Sequence, residues 1–273
     1  MTTRAHPAPA GIAADASLLN VIRSEWIKLW SVRSTYWTLG TLTVVAIGLT
    51  VLITWITARM WDDTSPADKA SFNPVDATQG FGVFLGMLFI SVLGVLVISG
   101  EYSTGGIRTT LTAVPQRLTV LGAKAAVFLV VALVVNLVIA FGSFVVGSAF
   151  LSTEDIQASL GDDGVFRAVL GGALFVTGCG LFAFALGALL RRTAAGITAA
   201  LGGLLVLPTL GALLPGQWGE DVNDYIITNA GSQITQIDPG SDGLGPWTGY
   251  LVFLLWGVGL LVIAAALLQR RDA

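Results

Sequence analysis

Six stretches of the sequence contain no Asp, Glu, Lys or Arg: about Trp37–Ala58, Phe81–Gly100, about Ala125–Leu151, Ala168–Leu190, Ala194–Leu214 and Trp247–Leu268. Each is roughly 20 residues or longer, and as a helix rising about 1.5 Å per residue it spans the roughly 30 Å hydrocarbon core of a bilayer. Six such runs in 273 residues leave room only for connecting loops and short terminal segments. The charge content supports the same reading. Only 11% of residues are charged, against about 25% in a water-soluble domain, so lipid must solvate most of the surface. The predicted fold class is all-α: a polytopic membrane protein with six transmembrane helices.

The segments between the runs predict the topology. Eleven of the fourteen basic residues fall in the N-terminal region, the loop between runs two and three, the Arg191-Arg192-Thr193 turn and the C-terminus. Only Arg59, Lys69 and Arg167 fall on the opposite side. The positive-inside rule then places both termini of this multi-pass protein in the cytoplasm. The three residues between runs four and five imply a tight turn between antiparallel helices. One continuous helix would sink two arginines into lipid at several kcal/mol.

Three units are expected along the chain. Residues 1–16, rich in Ala and Pro, read as a disordered cytoplasmic tail. Residues 17–36 read as an amphipathic interfacial helix, because Leu18, Leu19, Ile22, Trp26, Leu29 and Trp30 recur at helical spacing with Arg23, Lys28 and Arg33 among them. Residues 37–273 form the six-helix transmembrane domain, with a cytoplasmic loop at 101–118 and a long outer loop at 215–246. The outer loop mixes apolar and polar residues. Short helices dipping into the outer leaflet and a plain solvated loop both fit it. The first apolar run starts near Tyr36, too far into the chain for a signal peptide, so the first helix is expected to stay as an anchor.

Chemistry is constrained mainly by what the sequence lacks. Cys179 is the only cysteine and His6 the only histidine, so neither a disulfide nor a Cys/His metal cluster forms within the chain. The sequence has no phosphate loop, no H-E-x-x-H and no G-x-S-x-G. No metal or cofactor site is expected, and the chain reads as non-catalytic. The apolar runs offer an ion-coupled carrier no acidic or basic relay at depth. Asn136 is the most polar mid-depth residue and reads as an interhelical hydrogen bond. A net charge of −3 argues against binding nucleic acid. Small-residue pairs such as Gly82/Gly86, Ala183/Gly187 and Ala195/Ala199/Gly203 suit close helix packing, chiefly within the chain.

The loop after the second run is the richest segment: Glu101-Tyr102, then Gly105-Gly106-Ile107-Arg108, then Leu111, Val114-Pro115 and Arg117. The glycine pair permits a sharp reversal. Ile107, Thr110, Leu111 and Val114 then fall on one face of a short helix that Pro115 ends. An interfacial loop with a single helical turn fits the pattern equally well.

This loop resembles the cytoplasmic loop of ABC-2 type transporter permeases, particularly actinobacterial ones. The opening Ser24-Glu25-Trp26-Ile27-Lys28-Leu29-Trp30…Arg33 and the later Thr228-Asn229-Ala230-Gly231 also resemble that group. The resemblance implies a permease dimer, formed with a second copy or a paralogue, that docks two separate ABC ATPase subunits. ATP and Mg would sit on those partners. Residues 17–36, with Glu25, Trp26, Lys28, Leu29 and Arg33, would be the connecting helix. Glu101, Tyr102, Gly105, Gly106, Ile107, Arg108, Leu111, Pro115 and Arg117 would form the ATPase-coupling element. Glu101 would pair with Lys28 or Arg33, so that the two elements move together. Where the family often has Gly-Thr-Ile, this chain has Gly105-Gly106-Ile107, which loosens the helix start by up to about 1 kcal/mol. The implied function is ATP-driven export of a hydrophobic or amphipathic substrate such as a drug, peptide or lipid. A membrane scaffold or immunity protein and an ion-coupled carrier are the alternatives; a membrane-embedded enzyme is the least favoured.

Overall fold

The computed structural model describes residues 18–103, 116–156, 158–238 and 243–270. Residues 1–16, and Gly105, Gly106, Ile107, Arg108, Leu111 and Pro115 of the loop, lie outside the described residues. Every regular element among the described residues is helical, and six helices are long and apolar enough to cross a membrane.

The first two helices are α1 (Leu18–Ser31) and α2 (Arg33–Met60), separated by Val32 in an extended conformation. The expected single helix over 17–36 is therefore divided, and Arg33 opens α2 instead of closing the connecting helix. A short helix, α3 (Pro66–Ser71), is capped by Ser65, whose hydroxyl accepts from the Asp68 N–H. α4 (Pro74–Ser103) and α5 (Arg117–Leu151) follow. α5 starts eight residues before the apolar run does. Lys124, read from the sequence as a loop residue, therefore lies two turns inside a helix. α6 (Val165–Leu190) ends at Arg191, whose φ of 54° breaks the helix and whose N–H still donates to the Gly187 carbonyl. α7 (Thr193–Leu201) starts two residues later, making the tight turn that the two arginines require.

α4 and α6 form the centre, and glycine brings them together. A Cβ on Gly94 would stand 2.7 Å from the Gly180 carbonyl oxygen, and one on Gly187 would stand 3.1 Å from the Val95 Cα. The backbones touch there, as small residues allow in lipid. Gly82 and Gly86 face Ile139 and Asn136 of α5 and Val176 of α6. In the Ala195/Ala199/Gly203 stripe, Ala195 is exposed and Gly203 meets Phe182. Phe128 and Phe184 stack beside the seam, with ring centroids 5.9 Å apart.

Asn136 donates to the Ala132 carbonyl of its own helix, not to a neighbour. Gly86 leaves no partner side chain opposite it. Interhelical bonds nearby come from Gln79, whose amide donates to the Ala140 carbonyl, and from Thr50, whose hydroxyl donates to the Thr78 carbonyl.

The fifth span is not a regular helix to Leu214. After α7 it widens into a π-turn at Gly202–Val206 and continues as α8 (Leu207–Gly211). Pro208 explains the widening: it has no N–H and its ring crowds the carbonyl four residues back. That carbonyl, on Leu204, accepts from the Thr228 hydroxyl at 2.8 Å. The outer loop forms short helices α9 (Gly216–Asp224) and α10 (Ile227–Ser232), followed by a 3₁₀ turn at Gln233–Thr235. Ile227, Ala230 and Ile234 are buried. Gly231 packs on Phe175 and Phe253, so this segment is wedged between α6 and the last helix, α11 (Pro246–Arg270). The segment forms short helices, as one of the two readings has it, but they pack into the bundle, which neither reading expected.

Candidate functional site at the basic end of the bundle

The alternation of spans brings the start of α2, the end of α4, the start of α5, the α6–α7 turn and the end of α11 to one end of the bundle. These are the segments in which the basic residues concentrate. α1 packs against this end through Val21, Glu25 and Leu29. Its apolar stripe is divided: Ile22 and Leu29 turn inward, while Leu18, Leu19, Trp26 and Trp30 are exposed.

Four ionisable side chains meet there: Glu25 and Lys28 of α1, Glu101 at the end of α4 and Lys124 of α5. Lys124 Nζ donates to Glu25 Oε2 and, at 2.8 Å, to Glu101 Oε1. Lys28 Nζ donates to Glu25 Oε1 at 2.7 Å and lies 3.4 Å from Glu101 Oε1. The side chains of Lys124 and Glu25 are only 5% and 3% exposed. A lone charge buried so far would be prohibitively desolvated. Two cations between two carboxylates make a neutral cluster in which each charge has an opposite neighbour. Burial acts to lower the Lys28 pKa, but the hydrogen bond to Glu25 and the charges of Glu101 and Glu25 outweigh it and hold the ammonium above its ordinary value. Glu101 Oε2 is buried and has no hydrogen-bond partner.

Three further contacts fasten the same region. The Arg191 guanidinium lies over the Tyr102 ring, 5.1 Å from its centroid. The hydroxyls of Ser99 and Thr193 are 3.0 Å apart, joining α4 to the turn. On the far side of the loop, Arg117 Nη1 donates to the Leu268 carbonyl at 3.0 Å and so satisfies an end carbonyl of α11. The described ends of the 101–118 loop are thus tied to α1, α5, the α6–α7 turn and α11.

Of the residues singled out from the sequence, Glu25, Lys28, Leu29 and Glu101 converge here, with Tyr102 and Arg117 on adjoining contacts. Trp26 is exposed on the outer side of α1. Arg33 is exposed and forms no ion pair among the described residues. Sequence reasoning missed Lys124, the closer partner of Glu101. The available signal was its position after Arg117, with Leu118, Val120 and Leu121 already at helical spacing between them.

Beside the cluster a groove of about 730 Å³ opens between α2 and α4, with Val127 and Phe128 of α5 behind it. Its walls include Leu88, Phe89, Val92 and Leu96 of α4 and Ser34, Thr35 and Thr38 of α2, and Glu25, Lys28, Glu101 and Lys124 line its charged end.

A family model described as "ABC-2 family transporter protein" matches residues 21–213, more than two thirds of the chain. It covers α1 from Val21 onward, the charge cluster and five of the six spans. No curated protein matches the sequence.

Proposed function

The chain belongs to the ABC-2 family of transporter proteins, a membrane permease component, and we propose that it serves an ATP-driven exporter whose hydrolytic subunits are separate chains. Two ABC ATPases, carrying ATP and Mg, dock on the basic end, which faces the cytoplasm. A second permease copy or a paralogue completes the transmembrane unit. The cargo is hydrophobic or amphipathic.

One observation carries this reading: the loop that would receive the ATPase is fastened at both described ends to helices on different sides of the bundle. Glu101 is held by Lys124 and Lys28, Tyr102 by Arg191, and Arg117 by the end of α11. A push on the loop therefore reaches α1, α5, the α6–α7 turn and α11 together. Breaking a buried ion pair by removing one partner costs about 3–5 kcal/mol, so Glu101 cannot move without carrying Lys124 and α5 with it. The chain itself offers no nucleotide-binding loop, and the work must come from a partner.

The test is affinity purification of the chain from its native membrane with assay of the co-purifying ATPase. A stoichiometric ATPase that is lost when Arg108 and Leu111 are replaced by Ala supports the permease reading. A well-folded chain that brings down no ATPase overturns it and favours a scaffold or immunity protein.

A further inference from the structure

We infer that the groove between α2 and α4 is a binding site for a bilayer lipid with a protonated amine head group, the ammonium bound by Glu101 and one acyl chain lying along α4.

The polar end of the groove supplies the recognition. Glu101 uses Oε1 for both lysines, while its buried Oε2 accepts no hydrogen bond. A buried carboxylate oxygen without a donor is unfavourable. Glu101 itself lines the groove, so a donor entering its charged end meets this carboxylate. Only a donor satisfies it. An ammonium brings the missing donor as a charge-assisted one, where an anionic head-group oxygen would bring a second acceptor. Hydroxyls of Ser34, Thr35 and Thr38 line the same end.

The remaining walls supply the place for a tail. Leu88, Phe89, Val92 and Leu96 form an apolar strip on α4. From Leu88 to Glu101 the helix rises roughly 20 Å, comparable to the depth of one leaflet of a roughly 30 Å hydrocarbon core. The groove volume lies within the ordinary range of small-molecule sites. Trp30, Tyr36 and Trp37, exposed beside the residues that line the charged end, mark the level of the lipid head groups. Carboxylate, aromatic belt and apolar strip therefore follow the order of a lipid molecule's own parts.

The site does not depend on the ATPase, so it is tested on the permease alone. The purified chain is reconstituted into vesicles of phosphatidylethanolamine and phosphatidylglycerol in equal amounts with identical acyl chains. Lipid retained after gentle detergent extraction is then identified by native mass spectrometry. The expected result is one retained phosphatidylethanolamine per chain, preferred about tenfold, the ratio one charge-assisted hydrogen bond supplies. Glu101→Gln should abolish the preference. Val92→Trp, which fills the strip without touching the ion cluster, should abolish retention while the chain melts as the wild type does. Equal retention of the two lipids, a preference for phosphatidylglycerol, or unchanged retention by Val92→Trp would overturn the assignment.

Discussion

Replacing Lys124 by Met keeps a straight side chain of high helix propensity and removes only the charge. In the folded chain this leaves Glu25, 3% exposed, without its most buried partner, and leaves Glu101 with Lys28 alone at 3.4 Å. Removing one member of a buried ion pair costs about 3–5 kcal/mol. Lys28 still holds Glu25 at 2.7 Å, but its side chain is 42% exposed and is partly screened by solvent. The expected loss is therefore at the lower limit, about 3 kcal/mol. For a chain of this size that is a fall in melting temperature of about 6–12 °C.

Cys179 provides the assay. It is the only thiol and is fully buried in α6, so a thiol-reactive fluorophore labels it only when the bundle opens. The double variant Lys124→Met with Glu25→Gln should melt about 4–8 °C above Lys124→Met alone, because the stranded carboxylate is gone and contacting residues couple by up to about 3 kcal/mol. Two results would refute the reasoning. One is Lys124→Met melting within about 2 °C of the wild type. The other is a double variant that falls by the sum of the single losses. Either would mean that water, not the lysine, solvates the carboxylates.

The same thiol assay checks three other regions. Thr228→Val leaves the Leu204 carbonyl without its hydroxyl donor and should cost about 1–3 kcal/mol; adding Pro208→Ala, which returns an N–H to the turn, should restore part of it. Gly94→Ala drives a methyl to 2.7 Å from the Gly180 carbonyl and should lower stability by at least about 1–3 kcal/mol, whereas Gly40→Ala meets nothing within 4 Å and should be neutral or slightly stabilising. Tyr102→Leu removes the half-buried ring beneath Arg191, a contact worth about 0.5–1 kcal/mol where solvent still reaches it. On the proposed function it should leave melting almost unchanged while lowering ATPase activity that co-purifies with the chain, and an unchanged activity would remove Tyr102 from the proposed coupling path.

The six spans were readable because each apolar run is long, and lipid permits little besides helix for such a run. The ion cluster was only half readable. Glu101 stands at the end of an apolar run and draws attention. Glu25 enters only through the family resemblance, because α1 has apolar residues on two faces and periodicity alone cannot say which face meets the bundle. Lys124 looked like loop because the apolar run was counted from Ala125. Its burial depends on carboxylates 99 and 23 residues away, which no local pattern reports. The π-turn had its causes in plain sight, Gly202-Gly203 and Pro208, yet the carbonyl it frees is satisfied by Thr228 from another segment. The wedge at Ile226–Thr235 is too short for periodicity to separate it from a solvated loop.

The glycine seam between α4 and α6 also divides the molecule mechanically. Where two backbones touch, neither helix can slide or roll without a side chain losing its place, since close-packed interfaces have discrete arrangements and not a continuum of them. α4 and α6 must then travel as one rigid body. In the proposed transport cycle displacement falls to the lightly buried spans, α2, the broken α7–α8 helix and α11, and the π-turn above Pro208 is the place where one of them can bend without first giving up a regular hydrogen bond.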